Sequence, residues 1–196
     1  MNKSIIALFL MAMGVTAAQA QTSSGDMMVG GGFEFSSVSY QAGSANDENR
    51  FSFTPSFGYF VSDNLAVGAS LTLSSERDGT GAGKTVRSSF GLGPFARYYI
   101  FTSNDKFGFF GQAQLSFSSG KTDPPAGNVR RNNAVSFALS PGMAYFFNEH
   151  WAVEFAFRGF VFSSTDPDTD TDNDKYSVVQ FGVQSFSPSL GFRYHF

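Results

Sequence analysis

The sequence predicts an all-β fold: an eight-stranded antiparallel up-and-down transmembrane β-barrel. Three observations lead there. Eight segments alternate apolar residues with small or polar ones at a period of two, the pattern of strands with one apolar face. The connections between them alternate short and long, as in a barrel with one turn end and one loop end. The less apolar face is Gly, Ser, Ala and Gln with scattered charges. That face is too bare for a solvated exterior but suits a narrow lumen.

Composition agrees. The 196 residues include 25 Phe, 21 Gly and no Cys, and only 15% are charged, against about 25% in an ordinary soluble domain. Without cysteine there is no disulfide framework, zinc-thiolate site or catalytic thiol. A net charge of −3 leaves no basic footprint for nucleic acid. No cofactor motif appears.

The first twenty residues read as a signal peptide. Lys3 supplies a positive n-region, Ile5 to Val15 an apolar h-region, and Ala18-Gln19-Ala20 a small-residue cleavage site, too short to span a membrane as a helix. Cleavage after Ala20 leaves residues 21–196 as the barrel domain.

The segments then follow in order. Val29, Phe33 and Phe35 share one face of the first, and Phe51, Phe53, Phe57 and Tyr59 that of the second. Leu65, Val67, Leu71 and Leu73 mark the third, and Phe90, Leu92, Tyr98 and Ile100 the fourth. Phe107, Phe109, Leu115 and Phe117 mark the fifth, and Val135, Phe137, Leu139 and Tyr145 the sixth. The seventh carries Trp151, Val153, Phe155, Phe157 and Val161, the last Leu190, Phe192, Tyr194 and Phe196. Val179, Phe181 and Val183 have the opposite phase, so a bulge near Gln184 and Ser185 is expected in the final strand. Short turns fall near Asp63, Thr102 to Lys106, and Glu149; long polar loops span 41–49, 76–84, 120–132 and 165–175. A lipocalin-type soluble barrel would alternate too, but would dress its exterior in Lys, Glu, Asp and Thr. Here Tyr59, Tyr98, Phe107, Tyr145, Trp151 and Tyr194 instead sit where membrane-interface girdles belong.

Several stretches resemble the small bacterial outer-membrane β-barrel family, the "porin family" proteins related in architecture to OmpX and the OmpA transmembrane domain. They are FGYFVSDNLAVG from Phe57 to Gly68, GPFARYY from Gly93 to Tyr99, PGMAYFF from Pro141 to Phe147, and the ending LGFRYHF. The resemblance implies a Gram-negative outer-membrane location. It also implies that Phe192, Tyr194 and Phe196 form the signal read by the barrel assembly machinery. Activity does not follow from such a fold.

Candidate chemistry is sparse. Asp78 to Thr85 superficially resembles a phosphate-binding loop, but Asp78 stands where glycine is needed and no helix follows. Asp166, Asp168, Asp170, Asp172 and Asp174 could hold a divalent cation weakly, but they fit no EF-hand register, and a solvated acidic loop is the favoured reading. A serine nucleophile needs a base, most often His. His150 and His195 both fall at the turn end, away from the long loops. Lys121, Arg130 and Arg131 are candidate contacts for lipopolysaccharide phosphates. Within the lumen, Arg97, Glu154 and Arg193 lie at similar low heights, with Glu34 and Arg158 above. Confined charges must pair, so Glu154 is expected to meet Arg193 on the adjacent strand, and Glu34 to interact with Arg158 across the lumen.

Eight strands leave an interior filled by side chains rather than an open pore. The function expected is therefore non-enzymatic: an integral outer-membrane protein in contact with lipid and lipopolysaccharide, supporting envelope integrity or surface interaction through its loops. A narrow or gated channel is the alternative, and a lipid-modifying enzyme the third.

Overall fold

The computed structural model describes residues 22–38, 47–79, 83–103, 106–169, 175–181 and 189–196. The signal peptide, with Ala18 and Ala20, lies outside them, as do Asp170, Asp172, Asp174 and the segment expected to bulge near Ser185.

Long strands dominate. They are β1 (Met27–Val38), β2 (Glu48–Ser62), β3 (Leu65–Asp78), β4 (Thr85–Phe101), β5 (Phe107–Asp123), β6 (Arg130–Phe146), β7 (Trp151–Ala156), β8 (Phe160–Asp166), β9 (Tyr176–Phe181) and β10 (Ser189–His195). All pairings are antiparallel between chain neighbours, with β7 and β8 together facing β6, and β10 and β9 facing β7 and β8. The β1–β10 ladder closes the cylinder. Ten segments thus make eight staves, a closed eight-stranded barrel.

The seventh stave is split by a bulge. Ala156 pairs with Gly142 and Phe160 with Leu139, so three residues of one strand oppose two of the other. Phe157 and Gly159 still donate backbone hydrogen bonds, to Pro141 and Leu139. The extra residue inverts the side-chain phase. Phe160 and Phe162 therefore align with Leu139 and Phe137, and Val161 aligns with Ala138 on the lumen side. Sequence periodicity placed Val161 outside with Phe155; the bulge corrects that. The flanks of the final stave also differ in phase. Phe181 pairs with Phe160, on the lipid-facing side, and Ser189 with Ala156, on the lumen side.

The strands outrun the loops predicted for them. β5 continues to Asp123 and β6 begins at Arg130, shortening the expected 120–132 loop, because polar residues continue the ladder beyond the apolar band.

The turn end is tightly tied. Asn64 adopts a φ of 66°, which its short polar side chain tolerates. Asn148 Oδ1 accepts from the amides of His150 and Trp151 at 2.9 and 2.8 Å. Thr22 Oγ1 donates to Asn64 Oδ1 at 2.7 Å, holding the start of the described chain under the β2–β3 turn.

Outward positions are large and exposed, among them Phe53, Phe57, Leu92, Phe117, Phe137 and Phe155. The buried core lies inside the cylinder at its turn end: Met28, Phe60, Phe95, Tyr99, Phe110 and Phe146. A lumen of small polar residues with scattered charges was expected, without aromatic rings, and here the finding differs. The aromatic rings have room because the glycines of the lumen face lie beneath them. Gly58 sits under Met28, Gly68 against the Phe95 ring and Gly142 against the Phe110 ring.

Candidate functional site in the lumen

Directly above this aromatic floor lies an ionic cluster. Glu154 of β7 accepts from Arg97 Nη1 at 2.7 and 2.8 Å through its two oxygens, and from Arg193 Nε at 2.9 Å. The Tyr99 hydroxyl donates to the same carboxylate at 3.0 Å. Arg97, Glu154 and Arg193 are only 4–5% exposed, so the cluster is a buried one.

Strand geometry assembles it. Glu154 pairs in register with Gly191 and Ala152 with Arg193, so Arg193 approaches the carboxylate diagonally across one strand gap. Arg97 comes from β4, on a stave that is not adjacent to β7. Polar side chains then orient each guanidinium. Gln112 Oε1 accepts from Arg97 Nε and Nη2 at 2.8 and 2.6 Å, and Phe110 lies under the Arg97 guanidinium, 4.1 Å from carbon to ring centroid. Gln112 passes the chain on to Gln114 at 2.8 Å, and Gln114 to Ser70 at 2.8 Å. Arg193 Nη1 donates to Ser56 Oγ at 3.1 Å.

Glu34 and Arg158 do not join this network. Both line a cavity of about 280 Å³ on the long-loop side of the cluster, but among the described residues no ion pair links them. Glu34 stands on β1, while Arg158 sits within the bulge of the seventh stave and is exposed.

The remaining candidates scatter. Asp166 ends β8 and meets Lys175 at 3.5 Å, and among the described residues no group of three ligating side chains gathers for a metal. Lys121 and Arg131 are directly opposed on the lipid-facing side of β5 and β6, whereas Arg130, opposite Thr122, has the lumen-side phase. His150 lies in the β6–β7 turn, its Nδ1 2.9 Å from the backbone oxygen of His195. The His195 side chain is buried beside the rings of Phe60 and Phe146, with neither ring nitrogen hydrogen-bonded. Tyr194 packs against Trp151 with ring centroids 4.9 Å apart, and Phe192 and Phe196 are exposed on the same outer face.

The aromatic floor was missed in the sequence, though a signal existed. Tyr59-Phe60, Tyr98-Tyr99, Phe109-Phe110 and Tyr145-Phe146 are consecutive aromatics, all near the turn end. In a strand, neighbours face opposite sides. One ring of each pair therefore joins the exterior girdle and the other the floor.

A closed eight-stranded barrel with its aromatics in lipid-facing bands invites comparison with known families. The profile of the outer membrane protein β-barrel domain matches residues 5–185. The chain belongs to the outer membrane protein β-barrel family. Among solved structures, this barrel is similar in fold to Neisserial surface protein A (17% identity, 87% of this chain and 96% of that one, TM-score 0.52). Two Pseudomonas aeruginosa proteins also match. One is the N-terminal barrel domain of OprF (13% identity, 89% and 99% covered, TM-score 0.45); the other is OprG (16% identity, 91% and 99% covered, TM-score 0.45). No curated protein sequence matches the chain. For an outer-membrane barrel the exposed Phe and Leu residues are the lipid-facing surface, and the polar interior is the lumen.

Proposed function

We propose that this barrel is a non-enzymatic integral protein of a Gram-negative outer membrane, exported by a signal peptide cleaved after Ala20. In this reading its lumen is plugged, and it supports envelope integrity and surface interaction through its long loops. One observation carries the reading: Arg97, Tyr99, Glu154 and Arg193 converge from three staves over the floor that holds the rings of Phe60, Phe110 and Phe146. A buried pair of charges this well bonded resists separation, since breaking it leaves a naked ion in a low-dielectric interior. Planar-bilayer recording tests the proposal. The plugged barrel gives no reproducible conductance steps, and regular steps from the purified protein would overturn it.

A narrow or gated channel is the second reading, favoured by the cavity of about 280 Å³ above the cluster. A lipid-modifying enzyme is disfavoured by the burial of His195 and the turn-end position of His150. Lipopolysaccharide is the partner proposed for Lys121 and Arg131. Like charges directly opposed across a ladder are destabilising, and a phosphate on the lipid side relieves that repulsion. The barrel assembly machinery is the partner proposed for Phe192, Tyr194 and Phe196 during biogenesis.

A further inference from the structure

The lumen cavity carries an unbalanced charge. Among the described residues, three arginines, Arg97, Arg158 and Arg193, and two carboxylates, Glu34 and Glu154, line it, leaving one net positive charge. The imbalance is sharpest at the bottom, where two buried guanidiniums share the single carboxylate of Glu154. An uncompensated ion in such an interior costs several kcal/mol, so a counter-charge belongs there.

The donors left over say where. Arg193 spends Nε on Glu154 and Nη1 on Ser56. Among the described residues no acceptor meets its Nη2, and the side chain is only 6% exposed. Arg158 reaches the same cavity without an ion-pair partner among the described residues. Guanidinium donors in a fixed fork match the oxygens of a planar or tetrahedral oxyanion. The space suffices: a water molecule's share of liquid volume is about 30 Å³, against a cavity of about 280 Å³.

We propose that the lumen, on the long-loop side of the Arg97–Glu154–Arg193 cluster, is a binding site for one small soluble oxyanion, a phosphate or a carboxylate, held between Arg193 and Arg158. Glu34 sets the upper limit on its charge: it neutralises part of the field and disfavours a second anion. Because the site faces the lumen and not the lipid, a lipid headgroup is not its source. The site goes beyond the plugged-barrel reading and holds whether or not the barrel conducts.

The test is a titration of the protein in detergent micelles with inorganic phosphate and, separately, with acetate, following the arginine Nε–H resonances by NMR. A saturable one-to-one shift of the Arg193 resonance is expected with at least one of the two. Response to phosphate alone, acetate alone or both identifies the class of anion and supports the site. Arg158→Gln weakens binding about tenfold, the scale of one charge-assisted hydrogen bond, and Glu34→Gln strengthens it about threefold by removing a nearby like charge. Neither residue belongs to the buried cluster, so circular dichroism of both variants should match the parent; if one fails to fold, the other variant and the parent titration decide. Absence of a saturable shift with either ion, or affinities unchanged in the variants that fold, would overturn the proposal.

Discussion

Glu154 is the residue on which the lumen turns, since two arginines and a tyrosine donate to one carboxylate. Glu154→Gln keeps the shape but strands two buried cations, and a loss of about 3–5 kcal/mol is expected. Glu34→Gln, in the cavity wall without an ion pair, should change stability by less than about 0.5 kcal/mol. Urea unfolding followed by Trp151 fluorescence compares the two, and equal midpoints would refute the difference. Gly142 makes a second point. A Cβ there meets the Phe110 ring and lies 2.7 Å from the Phe155 carbonyl oxygen, so Gly142→Ala should cost about 1–3 kcal/mol through overpacking in the same unfolding assay. At this scale the sequence was half legible. Arg193 could be placed beside Glu154 because adjacent strands and equal heights sufficed. Arg97 could not be assigned as the second partner, because which staves oppose each other across the lumen depends on the barrel's closure and stagger. No local pattern encodes those.

Among the elements, the seventh stave shows how one residue redirects many. Its bulge lets Trp151, Phe155, Phe160 and Phe162 all face lipid although their numbering changes parity. Deleting Arg158 would straighten the ladder, with Ala156 still opposite Gly142 and Phe160 opposite Leu139, so Phe160 and Phe162 would keep facing lipid. Such a chain should retain a β-rich circular dichroism spectrum in micelles, as should Arg158→Gln, and loss of β structure on deletion would count against a one-residue bulge. The bulge was invisible because Phe155, Phe157 and Val161 supply an apolar series in the wrong phase beyond Ala156. The last strand is a contrasting case, where the odd phase of Val179 and Phe181 against Leu190 and Phe192 was legible and the flanking registers differ accordingly. At its end, Phe196 and Met27 exchange backbone hydrogen bonds of 2.8 and 2.7 Å. A chain ending at His195 should therefore accumulate in the outer membrane at a reduced level. Immunoblotting of membrane fractions measures this, and parental levels would count against a role for Phe196.

For the molecule as a whole, face chemistry and loop alternation specified strand number, closure and orientation of faces, because they are repeated on every stave and survive an error in any one. The single Trp offers a check on how the barrel sits in its bilayer. Trp151 is exposed on the lipid side at the turn end, next to Tyr194. Lipids brominated near the headgroup should quench its fluorescence more strongly than lipids brominated near the chain ends; the reverse order would place the girdle wrongly.

The ladder that joins β1 to β10 has a kinetic consequence. Its partners, such as Met28 with His195, are the most distant in the chain, whereas every other ladder joins neighbouring staves. Loop-closure entropy rises with the length enclosed, by about 0.6 kcal/mol for each doubling. Hairpins can therefore form early and independently, but the seam forms last and only when all the staves are in place. Until that moment both rims of the nascent sheet expose unpaired amides in a solvent with nothing to offer them, so productive folding is a race between closing the circle and aggregating along its open edges.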